Sequence, residues 1–140
     1  MEDNKTHGHE VGLLWLVLVV GMVLHFNYGV SGIRYGIPFE QPDADGVVPW
    51  ANFGIKTIFY VLPLMLAVGT TGSPGKTYRT INFGLTFLFA LANAMHLVTT
   101  TIAAGDVLGY AQVVLLSGVM LANIQLIRLS SRWRVATTPA

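Results

Sequence analysis

Apolar residues in this chain gather into long runs separated by short polar segments, and each run is long enough to cross a membrane. A helix needs roughly 20 mainly apolar residues to span a hydrocarbon core of about 30 Å. Four stretches meet that requirement, at about residues 11–30, 50–70, 81–104 and 108–129. They occupy most of the chain, and no internal repeat or low-complexity tract divides it. The pattern predicts an all-α integral membrane protein, a four-helix transmembrane bundle that forms a single domain over residues 1–140. The links "TGSPGKTYR" and "GDVLG" are tight enough to make the helices they join antiparallel neighbours, giving an up-down-up-down order.

Composition agrees with this pattern. Hydrophobic residues make up 53% of the chain and charged residues 11%, with a mean hydropathy of +0.59. Soluble domains carry about a quarter charged residues. A formal net charge of +1 and scattered Lys and Arg residues exclude a nucleic-acid partner, which would need a basic stripe. There is no cysteine, so disulfides, thiolate metal sites and a Cys nucleophile are excluded.

The positions of the basic residues predict the orientation. Lys5, Lys76, Arg79, Arg128, Arg132 and Arg134 fall on the side that holds both termini, whereas the opposite side has Arg34. By the positive-inside rule both termini are expected in the cytoplasm, in what reads as a bacterial cytoplasmic membrane. The long outer loop "GIRYGIPFEQPDADGVVPW" carries Glu40, Asp43 and Asp45, and its prolines make it a structured turn rather than a helix. Trp50 and Tyr110 near the outer boundary, and Trp15 and Trp133 near the inner one, read as interfacial rings. The leading segment "MEDNKTHGHE" lacks the basic start and small-residue cleavage site of a signal peptide, so the first span is expected to be retained.

Within this topology the polar residues of the spans converge. Counting inward from the outer helix ends at about 1.5 Å per residue places His25, Lys56, His96 and Gln112 at similar depth in the outer half of the membrane. Asn93, His96 and Thr100 are spaced i, i+3, i+7 and share a helix face. Gly21, His25 and Gly29 stand at i, i+4, i+8, which would let another backbone or a flat ligand approach the imidazole closely. Ionisable side chains inside a bilayer cost several kcal/mol unless paired or hydrated, and they face the bundle interior or a cavity. The expectation is a buried polar site containing His25, Arg34, Lys56, Asn93, His96 and Gln112.

Its chemistry has competing readings. His25 and His96 are candidate axial ligands of a b-type haem, with Lys56 and Arg34 meeting its propionates and the acidic loop as a lid. The same residues could instead line a quinone-like pocket. A copper or zinc ion on His25 and His96 is a further reading, short of donors because zinc takes three or four. Against these stands the plainer reading, in which the histidines hydrogen-bond helices together. No catalytic triad or intramembrane carboxylate dyad is present, so turnover is not expected. "GTTGSPGKT" lacks the first glycine of a phosphate loop and lies between membrane helices, and "HGHE" reads as a solvated tail. The preferred reading is a non-catalytic accessory or assembly subunit, embedded in the lipid bilayer, that joins a homo-oligomer or a larger membrane complex. A small oligomeric transporter or channel is kept as a further alternative, although Pro63 is the only hint of a broken helix.

Overall fold

The computed structural model describes residues 2–38, 45–47, 49–72 and 74–136. It contains four long α-helices: α1 (Glu2–Ser31), α2 (Trp50–Gly69), α3 (Lys76–Ala103) and α4 (Val107–Val135). A single 3-10 turn, Gly32–Tyr35, extends α1, and no strand occurs among the described residues. All four helices are long and apolar enough to cross a membrane.

The helices overrun the apolar runs. α1 begins at Glu2 rather than near residue 11, α3 at Lys76 rather than near 81, and α4 continues to Val135 rather than stopping near 129. Helical hydrogen bonding does not end where hydrophobicity does, and the polar overhangs pack on one another here. Gly8 of α1 faces the indole of Trp133 and the carbonyl of Thr70 closely enough that a Cβ would sit 3.4 Å from both.

α4 packs against both α1 and α3, and α2 packs against α1. Three interior stripes explain this. Val11, Trp15, Leu18, Met22 and His25 on α1, Arg79, Asn82, Thr86, Phe89, Asn93 and His96 on α3, and Leu116, Val119, Asn123, Leu126, Ser130 and Trp133 on α4 each alternate steps of three and four. That 3.5-residue period keeps one seam turned toward its neighbours along the full helix. The seam is dry and apolar around Trp15, whose ring meets Phe89 edge-on at 5.2 Å between centroids. α2 and α3 meet through side chains: Tyr78 Oη donates to the Leu66 carbonyl at 2.7 Å, and the rings of Phe59 and Phe89 lie 5.2 Å apart.

Two residues expected at the membrane boundary lie inside the bundle. Trp15 is 0% exposed and Trp133 1%, whereas Trp50 is 84% exposed and Tyr110 also stands outside. Trp15 Nε1 donates to Asn82 Oδ1 at 3.2 Å, which removes the need for an interfacial partner. Arg79 is likewise buried rather than part of a solvated inner loop. Its Nη1 donates to the carbonyls of Trp133 at 3.0 Å and Ala136 at 2.8 Å, filling acceptors that a helix C-terminus leaves unpaired. We expect Arg79→Met to leave these carbonyls without that donor, each buried unpaired acceptor costing about 1–3 kcal/mol. Amide exchange in the last turn of α4 should then quicken relative to the turn around Leu126, and equal protection in the variant would refute the capping role.

Candidate functional site

His25, Lys56, Asn93, His96 and Gln112 collect at the end of the bundle opposite Gly8 and Trp133. His25 lies on α1 and His96 on α3, and their Nε2 atoms are 2.8 Å apart. The rings meet edge to face with centroids 4.6 Å apart. A neutral imidazole has one N–H and one bare nitrogen, so one ring donates through Nε2 and the other accepts; the accepting ring carries its own proton on Nδ1. The histidines therefore bridge helices by pairing with each other, rather than with Asn93, a threonine or a backbone carbonyl. His25 Nδ1 is buried with no protein partner.

Beside this pair lies a cavity of about 510 Å³. α1 contributes Met22, His25, Phe26 and Gly29 to its wall; α2 contributes Ile55, Lys56, Phe59 and Tyr60; α3 and α4 add Asn93, Met95, His96 and Gln112. The size falls within the range of about 300–1,000 Å³ typical of small-molecule sites. The local sequence accounts for the space. α1 has no side chain at Gly29, α3 only a methyl at Ala92. The Phe59–Phe89 contact closes the gap between α2 and α3 on the far side of Phe59. Phe26, Ile55 and Met95 on the rim are each exposed, so the cavity opens between helices rather than being sealed.

Asn93 is 2% exposed and lines this cavity, and its Oδ1 has no hydrogen-bond partner in the protein. A buried acceptor of this kind costs free energy unless something supplied from outside meets it. Lys56 lies at the wall with Nζ 5.7 Å from the centroid of the Phe26 ring.

Of the residues singled out from the sequence, the structure thus brings His25, Lys56, Asn93, His96 and Gln112 to one wall. Arg34 is exposed on the 3-10 turn and does not line the cavity. Glu40 and Asp43 of the acidic loop lie outside the described residues. Gly21 faces α4, where an added Cβ would strike Val119, and only Gly29 opens onto the cavity. Asn123 turns back on its own helix, donating to Val119 O at 3.0 Å, and Gln125 is exposed. The remaining wall residues, Phe26, Ile55, Phe59, Tyr60 and Met95, are silent in the sequence, because aromatic and aliphatic residues in a membrane helix carry no signal of which way they face.

The geometry does not fit a metal between the histidines. Metal–imidazole bonds of about 2 Å would hold the two Nε2 atoms about 3.3 Å apart on a tetrahedral ion and about 4 Å apart on opposite sides of a haem iron, whereas here they share a hydrogen bond at 2.8 Å. Among the described residues there is also no group of three or more His, Cys, Asp or Glu side chains able to hold an ion. What the wall does offer is hydrogen bonding in a mostly apolar slot. Comparison of the chain with protein-family models, curated proteins and solved structures finds no match. The fold and the site define a four-helix protein of membrane-crossing dimensions with a side-opening polar-and-apolar pocket, and the functional reading rests on that pocket.

Proposed function

We propose that this protein is a non-catalytic binding subunit of the membrane, which takes an amphipathic small molecule between α1, α2 and α3. In this reading the helices run up-down-up-down with both termini in the cytoplasm, so the pocket lies in the outer half of the bilayer. The hydrogen-bonding head of the molecule meets Asn93, Gln112 and the His25–His96 pair, and its apolar part contacts Phe59 and Met22. The observation that carries the proposal is the buried, unpartnered Asn93 Oδ1 in the wall of a cavity of about 510 Å³. The wall offers no carboxylate, and neither the Tyr60 hydroxyl nor the Lys56 amine is hydrogen-bonded to a histidine, since the two imidazoles pair with each other, which supports binding rather than turnover.

An accessory role fits the packing of α2. Its long contact is with α1, and Asn52, Lys56 and Thr57 remain exposed on it. A partner subunit or second copy covering that face would complete the burial of this helix.

The test is extraction. Protein purified in mild detergent is expected to yield, on solvent extraction and mass spectrometry, a lipid-soluble molecule in stoichiometric amount. Ala92→Phe, which fills the cavity, should lose it while keeping the helical circular dichroism spectrum. Equal extracts from the two proteins would reject the pocket as the binding site.

A further inference from the structure

Lys56 adds a charge requirement to this pocket, and the inference rests on the binding role proposed above. The lysine sits two turns into α2 and is the one residue in the cavity wall with a formal charge when the histidines are neutral. Among the described residues no carboxylate lies within ion-pair distance of Lys56; the contact of that kind is between His7 Nδ1 and Glu10 Oε2, at 3.2 Å, far along α1 from the cavity. Lys56, exposed at the edge of the cavity on the apolar surface of α2, has instead the face of Phe26. A ring face offsets only part of what an ammonium loses on leaving water. An anion entering the pocket would gain most from this position, since charge attraction strengthens as water is excluded.

The rest of the polar wall suits an anion as well. Gln112 has an amide NH₂, the histidine pair keeps an N–H beyond its shared one, and a half-turn of the terminal bond of Asn93 exchanges its unpartnered Oδ1 for an NH₂ that donates to the anionic head. No wall residue is acidic. Beyond these donors and the Tyr60 hydroxyl the lining is apolar, and the exposed rim of Phe26, Ile55 and Met95 leaves a way for a chain to pass toward lipid.

We infer that the ligand is a single-chain amphiphile with an anionic oxygen head, a carboxylate or phosphate, held by Lys56 with the amides of Gln112 and Asn93. A lysine is a point charge with rotatable donors and serves either head. Arg34, the other cation of this end, stands outside the cavity and takes no part.

The experiment uses the full chain in nanodiscs of zwitterionic phosphatidylcholine, with tritiated hexadecanoate and tritiated hexadecanol as probes and hexadecyl phosphate as competitor. Hexadecanoate is expected to bind about tenfold more tightly than hexadecanol, the scale set by one desolvated charge pair. Hexadecyl phosphate should compete; its rank against unlabelled hexadecanoate identifies which head is preferred. Lys56→Gln should collapse the acid-to-alcohol ratio toward unity, and Lys56→Arg should retain it. Equal binding of acid and alcohol by the native chain, or a ratio unchanged in Lys56→Gln, overturns the anionic ligand and leaves the pocket standing. Failure of both probes to bind, together with equal extracts from the native chain and Ala92→Phe, overturns the pocket as well.

Discussion

Replacing Trp15 with alanine is expected to be the most damaging single substitution in the bundle, lowering stability by about 3–5 kcal/mol, the usual cost of truncating a buried Trp. Three observations set this size. The indole is fully buried in the main apolar cluster; its edge contacts the Phe89 ring at 5.2 Å; and its Nε1 donates to Asn82 Oδ1 at 3.2 Å. In a membrane, lipid tails are as apolar as the core, so helices associate through close packing and hydrogen bonds instead of through escape from water. Trp15 supplies both to the contact between α1 and α3. Asn82 Nδ2 already has no partner, so the alanine variant strands both ends of that amide.

Trp15→Phe separates the two contributions. It keeps most of the ring contact and removes the N–H, so it should lose only about 0.6–2 kcal/mol, the range for one interhelical hydrogen bond in a membrane protein. The check is unfolding in mixed micelles of increasing sodium dodecyl sulfate fraction, followed by far-ultraviolet circular dichroism. A Trp15→Ala midpoint indistinguishable from that of Trp15→Phe would mean that packing against Phe89 contributes little.

Trp15 also shows how far the sequence was legible. Hydrophobic run length foretold four apolar helices because a membrane crossing demands about 20 apolar residues and little else does. It did not foretell that Trp15 and Trp133 are core residues. A Trp near the end of an apolar run is equally consistent with an interfacial ring, and the choice depends on helix rotation, which run length does not encode. Arg79 is similar: a basic residue beside a loop reads as an orientation charge, and only the end of α4 packed against it turns it into a cap. The clustering of His25, Lys56, His96 and Gln112 could be read by counting helical rise, because depth is a property of one helix at a time. The cavity itself is a property of several helices together. A signal for part of it was available: the 3.5-residue stripes that run through Trp15 and Asn82 also place His25 and His96 on their respective seams.

Exchange of either member of the histidine pair for phenylalanine is expected to weaken ligand binding by about tenfold to a hundredfold, the result of leaving buried polar groups on a ligand without partners. The pair acts as a unit because one proton lies between the two Nε2 atoms, 2.8 Å apart. Removing His96 leaves His25 with Nε2 unpaired as well as Nδ1, so His25 loses the fixed tautomer and ring orientation with which it faces the cavity. The double variant His25→Phe/His96→Phe should therefore bind little worse than either single variant, a non-additivity diagnostic of residues in contact. Stability should respond much less, by about 0.6–2 kcal/mol for the lost interhelical bond. Dissociation constants for the probe that binds best, set beside mixed-micelle unfolding of the same proteins, make the comparison. A purely structural pair would show the opposite split, with affinity unchanged in variants that still fold. A haem-ligating pair would show a third: a sharp band in the dithionite-reduced minus oxidised spectrum of the native chain, lost in either variant. The direct imidazole–imidazole hydrogen bond predicts that this spectrum is flat, because the rings are spent on each other and the pocket is left to a ligand that enters from the lipid side.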